Sequence, residues 1–177
     1  MEQRYDLSGS LLHWYDYNKR ILPWRENKDP YRIWISEIML QQTRVEAVKP
    51  YFDRFMEVLP TVYDLAKVDD DRLMKLWEGL GYYNRARNLK AAAQTIVEEY
   101  GGQLPADYDK LLSLKGIGMY TAGAIGSIAF ELQVPAVDGN VLRVISRITE
   151  DRQDIMKQSV RRQIEENLLG IMPEETP

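Results

Sequence analysis

Apolar residues recur along this chain at spacings of three and four. Leu89, Ala92, Ala93, Ile96 and Val97 keep that rhythm, and so do Val45, Val48, Phe52, Phe55 and Leu59. Ala124, Ile125, Ile128, Ala129 and Leu132 repeat it, followed by Val160, Ile164 and Leu168. One face of a helix repeats in this way, whereas a half-buried strand alternates. No stretch alternates convincingly. The pattern predicts an all-α fold with helices near 8–19, 31–41, 44–58, 61–67, 70–77, 84–99, 107–112, 119–131, 139–149 and 157–169.

The breaks between these helices are short. "LPWRENKDP" (22–30) has two prolines, and "GLGYYN" (79–84) is a glycine turn with two aromatics. "YGGQLP" (100–105) ends a helix at Gly101. "QVPAVDGN" (133–140) sets Asp138 where it can cap the next helix. The chain has no internal repeat, low-complexity tract or long linker.

Composition then removes whole classes of chemistry. The 177 residues are 45% apolar and 28% charged, enough for one core or two small ones. Cysteine is absent, which excludes disulfides, thiolate metal sites and cysteine nucleophiles. His13 is the sole histidine, so histidine clusters and Ser-His-Asp triads are excluded too. An enzyme built from this chain works with carboxylates, Lys, Tyr, Ser or Thr. A net charge of −4 argues mildly against nucleic acid, although a local basic face can coexist with an acidic back. No apolar run is long enough to span a bilayer, and "MEQRYDLSGS" is neither a signal nor a transit peptide. The expectation is a cytoplasmic protein with no membrane partner.

"LKGIGMYTAGA" (114–124) stands out. Gly116 and Gly118 precede a small-residue helix, where glycine permits positive φ and close approach of another backbone. The turn leaves free N–H groups at a helix start, an arrangement that suits an anion such as a nucleic-acid phosphate. The alternative is an αα-hairpin whose glycines serve packing only. Lys115 and Tyr120 flank the turn.

Two carboxylates invite a chemical reading. Glu37 has Ile33, Trp34 and Leu40 as helical neighbours, and an apolar setting raises a carboxyl's pKa until it can donate a proton near neutrality. The alternative is an exposed glutamate at a helix edge. Asp138 reads as a helix cap, and a capped carboxylate stays ionised, as stabilisation of an oxocarbenium-like sugar would require.

"LKGIGMYTAGAIGSIAF" resembles the helix-hairpin-helix of the DNA glycosylase superfamily typified by endonuclease III, and "VDGNVLR" (137–143) follows at that family's spacing. "LPWR" (22–25), "WISEIMLQQTRV" (34–45) and "LWEGLGYYNRARNL" (76–89) resemble the MutY-type adenine DNA glycosylases in particular. The likeness runs from about residue 10 to 172. It implies a six-helix barrel over 25–134, with the helix-hairpin-helix at about 107–131. It also implies a truncated second helical lobe from 1–24 and 135–177, short of core. The active site would lie in the cleft between them.

The resemblance further implies the removal of adenine mispaired with 8-oxoguanine or guanine in double-stranded DNA, by a chain expected to be monomeric. Glu37 would protonate the flipped adenine at N7 and later handle water. Asp138 would stabilise the sugar cation or attack it, with Tyr120 and Asn140 holding the site by hydrogen bonds. Lyase-competent relatives have lysine where Tyr120 stands, so tyrosine implies a monofunctional enzyme. Gln42 and Tyr82 would intercalate near the orphaned base, with Thr43 and Leu80 beside them. A buried loop anchor is the alternative for Tyr82 and Tyr83. Arg20, Trp24, Arg25 and Leu40 would rim the adenine pocket. Lys115, with Gly116 and Gly118, would contact phosphate. By charge alone, Arg85, Arg87, Lys90 and Arg143 are candidates for part of the phosphate-facing surface, the alternative being solvated helix faces. Backbone carbonyls of Leu112, Leu114 and Ile117 would coordinate a monovalent cation.

Full-length relatives continue into a 4Fe-4S cluster and an 8-oxoguanine-reading domain, and this chain carries no cysteine for the first. The end at "MPEETP" is expected to mark a fragment, impaired in excision. Two other readings stand beside the leading one: a mismatch glycosylase of another specificity in the same superfamily, and a helix-hairpin-helix DNA-binding fragment with little or no catalysis.

Overall fold

Ten α-helices make up the computed structural model, which describes residues 6–173, and no strand occurs among the described residues. Residues 1–5 and 174–177 of the expected second lobe lie outside the described residues. The helices are α1 (Leu7–Asn18), α2 (Pro30–Leu40), α3 (Val45–Val58), α4 (Val62–Lys67), α5 (Asp70–Trp77), α6 (Asn84–Tyr100), α7 (Tyr108–Ser113), α8 (Met119–Phe130), α9 (Gly139–Ile148) and α10 (Gln158–Leu169). A 3₁₀ turn, Pro23–Arg25, falls inside the stretch expected to be irregular.

Local chemistry explains the helix starts. Asp29 accepts the Tyr31 N–H ahead of α2, with Pro30 as its first residue, where a missing N–H costs nothing. Thr61 and Asp64 cap α4 reciprocally. Asp69 and Asp107 cap α5 and α7. Gly101 ends α6 in the left-handed conformation at φ 61°.

α2 is the central element. Ile33, Trp34, Ile35, Ile38 and Met39 are all buried, and the helix packs on α3 and α8. The core around it also takes Phe52 and Phe55 from α3, Leu65 from α4, Trp77 from α5, Leu89 and Ile96 from α6, Leu111 from α7 and Ile125 from α8. A separate small cluster joins Leu142 of α9 to Val160 and Ile164 of α10. α1 contributes no buried residue and meets this second region where Ser8 Oγ donates to the Ile171 carbonyl at 2.6 Å. Trp14 and Ile148 are both more than half exposed.

α8 crosses close to the 133–138 link. A Cβ on Gly123 would stand 2.3 Å from the Pro135 carbonyl oxygen, so glycine is what lets this backbone lie against the helix and deliver Asp138 to the cleft.

Candidate active site

A cleft of about 650 Å³ opens between the end of α2, the 20–25 segment, the start of α8 and the start of α9. Glu37, Tyr120, Asp138 and Asn140 line it together with Arg20, Trp24, Arg25, Leu40 and Gln42. These residues come from segments more than a hundred positions apart in the chain. Leu22, Gln41 and Val45 also line it; they fall within the quoted motifs but are not among the expected site residues.

Glu37 is 3% exposed, set mid-helix on the buried face of α2. Burial pushes its carboxyl up from the ordinary range. The Arg25 guanidinium and a hydrogen bond from Tyr120 pull the other way, and burial prevails. Arg25 Nη2 donates to Glu37 Oε1 at 2.9 Å. The resemblance had Arg25 only at the pocket rim; the ion pair adds a direct link to the carboxylate. No spacing rule could have revealed it, because the partners sit on different elements, twelve residues apart. Arg32 fixes this segment, donating from Nη2 to the Pro23 carbonyl at 2.9 Å. Trp24 is 1% exposed and meets Phe52 edge-on, so it forms floor and not rim.

Tyr120, on the first turn of α8, has its hydroxyl raised by burial and then by Glu37 and Asp138. A phenol facing two carboxyl groups remains a neutral donor. Asp138 caps α9 as the sequence indicated. Its Oδ1 accepts the Asn140 and Val141 N–H groups at 2.9 and 2.8 Å, and its Oδ2 accepts Asn140 Nδ2 at 2.8 Å. Three donors and a helix N-terminus thus surround the Asp138 carboxylate oxygens. The cleft therefore holds one carboxyl driven towards its acid and one carboxylate surrounded by donors.

Gln42 and Tyr82 both line a recess next to this cleft, both exposed and both with positive φ. Thr43 is half-buried behind Gln42. Leu80 differs from expectation. It is 6% exposed and packs into the core, so its side chain supports the Tyr82 loop from beneath. Arg85 also differs, because its guanidinium points inwards at five backbone carbonyls and not out at a phosphate. Lys90 is paired with Asp70, and Arg143 donates to Asn140. Arg87 is exposed, bonded to Asn84 at 3.0 Å.

In the hairpin, Gly116 has φ 81°, and a Cβ there would stand 2.7 Å from Asn88 Cβ, so both the turn and the packing demand glycine. Gly118 has ordinary extended backbone, φ −95°, and no atom of the described residues comes within 4 Å of where its Cβ would be. No side chain caps α8 at Gly118. Lys115 is exposed at the tip. The Leu114 carbonyl accepts the Ile117 N–H at 3.1 Å, and Leu112 lies in the last turn of α7. Among the described residues no cluster of three or more His, Asp or Glu side chains could hold a metal ion, and no helix is long and apolar enough to cross a membrane.

Comparison with known proteins gives this geometry a context. A family described as "HhH-GPD superfamily base excision DNA repair protein" matches residues 35–168. The adenine DNA glycosylase of Rattus norvegicus is 47% identical over 148 residues, 78% of this chain and 29% of the relative. That of Buchnera aphidicola subsp. Baizongia pistaciae is 43% identical over 139 residues, 78% of this chain and 40% of the relative. The chain thus spans well under half the length of these curated relatives. Among solved structures, a thermostable thymine-DNA glycosylase superposes with a TM-score of 0.84 at 29% identity, covering 94% of this chain and 77% of that one. A trapped endonuclease III–DNA covalent intermediate superposes with a TM-score of 0.79 at 27% identity, covering 94% of this chain and 76% of the other.

Proposed function

The chain belongs to the HhH-GPD superfamily of base excision DNA repair proteins, and on that premise we propose that it is a monofunctional adenine DNA glycosylase. Its substrate is double-stranded DNA carrying adenine opposite 8-oxoguanine or guanine, and it acts as a monomer. The observation that carries this reading is the meeting of Glu37, Tyr120, Asp138 and Asn140 in one cleft. Relatives at 43–48% identity bear the name adenine DNA glycosylase, which favours adenine over the thymine handled by the structural neighbour at 29%.

The chemistry follows from the two carboxyl groups. The target base must leave the stack, at a cost of a few kcal/mol. Tyr82 and Gln42 fill the space it vacates. Glu37, neutral because it is buried, gives its proton to N7 of adenine. The N-glycosidic bond then breaks, and its electron pair leaves with the base. The ionised Asp138 stabilises the positive sugar, or bonds to it, until water adds and an abasic site remains. Tyr120 stays protonated and orients Glu37, and with no lysine at this position no Schiff base forms. Arg20, Arg25, Leu40 and Trp24 enclose the base.

On the hairpin, the unfilled space at Gly118, the free amides that start α8 and Lys115 would receive a phosphate. The carbonyls of Leu112, Leu114 and Ile117 are the proposed donors to a monovalent cation beside it. With no cysteine, these 177 residues supply no thiolate for an iron–sulfur cluster, and no step above runs through one. The test is product analysis: free adenine should be released from A:8-oxoguanine and A:G duplexes, and thymine from no T:G duplex. Release of thymine alone would select the other specificity.

A further inference from the structure

Two loops beside the cleft each turn on a residue that is not glycine yet has positive φ. Gln42, after α2, has φ 60°, and Tyr82, before α6, has φ 47°. A residue with a Cβ stays in that region only where its surroundings hold it.

One side chain reaches both loops. Arg85 Nη1 donates to the carbonyls of Ile38 at 2.7 Å, Met39 at 3.2 Å and Gln41 at 2.7 Å. These belong to the end of α2, where the last carbonyls lack partners within the helix. Arg85 Nη2 donates to the carbonyls of Leu80 at 2.9 Å and Gly81 at 3.3 Å, in the turn that leads to Tyr82. The guanidinium also lies over the Trp77 and Tyr82 rings, 5.4 and 5.7 Å from their centroids. The Trp77 indole N–H braces the same turn by donating to Gly81 at 3.1 Å.

We propose that Arg85 is a positioning residue, whose guanidinium clamps the end of α2 to the Leu80–Tyr82 turn and so sets the separation of Gln42 from Tyr82. The use of that separation on DNA rests on the function proposed above; the clamp itself does not. A planar fork of fixed donors can bridge two loops, and a lysine ammonium at the same position is a single point that can serve only one. Glu37 lies one helical turn before Gln41, so the clamp also fixes the end of the helix that carries the acid.

The experiment compares wild type with Arg85→Lys. Amide hydrogen exchange of the free protein should accelerate together at 41–43 and 79–83, by about tenfold or more, while core amides of Leu65 and Ile96 keep their protection. Acceleration in neither loop, in one loop alone or throughout the molecule would overturn the proposal. A second reading uses affinity for an A:8-oxoguanine duplex in a double-mutant cycle with Tyr82→Ala. Each single change should weaken binding, and the pair together no more than either alone; additive losses would also count against the clamp. Should Arg85→Lys fail to fold, the wild-type guanidinium decides: separate, slowly exchanging Nη proton signals are expected, and freely averaged ones contradict it. A wild type that releases no adenine refutes the proposed function and leaves the exchange result standing.

Discussion

Arg25 Nη2 lies 2.9 Å from Glu37 Oε1, so the proposed acid is buried beside a partly exposed cation that opposes its protonation. Burial raises the Glu37 carboxyl, and Arg25 followed by Tyr120 limits the rise. The pair thus limits how far burial raises the acid. Without Arg25 the group would hold its proton more firmly.

That balance predicts the pH profile. The active form has Glu37 protonated, so single-turnover excision should fall as pH rises through its folded-state pKa. Arg25→Ala removes the largest lowering influence, so this alkaline limb should move to higher pH, whatever the variant loses in absolute rate. A limb that stays in place, or moves down, would separate Arg25 from the ionisation of Glu37.

The same shift bears on stability. A carboxyl raised in the folded state contributes stability that is fully present below its unfolded value of 4.5 and is lost as pH rises through the folded pKa. Glu37→Gln has no such loss. Its melting temperature relative to wild type should therefore climb from pH 4 to pH 8, measured by thermal unfolding. The opposite trend would mean that the carboxylate is stabilised by Arg25 more than burial penalises it.

Asp138 has a structural and a chemical role that two substitutions separate. Asparagine is as good a helix cap, so Asp138→Asn should change stability by less than about 0.5 kcal/mol, while Asp138→Ala should cost about 1 kcal/mol. Both should lose excision by about 10²-fold or more, because each removes the charge facing the sugar. Full activity in the folded asparagine variant would reduce Asp138 to a cap.

Tyr120 shares the cleft with both carboxyl groups. Tyr120→Lys should add lyase activity, since an amine there would stand beside the sugar carbon exposed by base loss. Borohydride should trap the resulting Schiff base. A folded, DNA-binding variant that yields no trapped complex would show that position 120 does not face the sugar.

Most of the helical skeleton was legible in the sequence because local rules govern it. The period of three to four marks α3, α6, α8 and α10, and the Asp138 cap marks the start of α9. Glu37 was readable as a buried acid because its neighbours Ile33 and Trp34 lie on the same face of one helix. Arg85 was misread for the matching reason. An arginine at the start of a helix looks solvent-facing, and only the tertiary approach of α2 turns its guanidinium towards backbone carbonyls. Leu80 was misplaced likewise, since a glycine turn hides which way its one apolar residue points. The Arg25–Glu37 pair depends on the 3₁₀ turn at 23–25, which Arg32 holds from a distance. The glycines divided the same way: Gly116 needs its positive φ and its packing against Asn88, while Gly118 needs neither.

The most direct measurement is single-turnover cleavage of an A:8-oxoguanine duplex by the wild-type chain and by Glu37→Gln, each analysed before and after alkali. Wild type should release adenine, with strand scission only after alkali. The variant should lose that release by about 10²–10⁴-fold and keep most of its DNA affinity. Undiminished release by Glu37→Gln, or scission by wild type without alkali, would contradict the proposed mechanism.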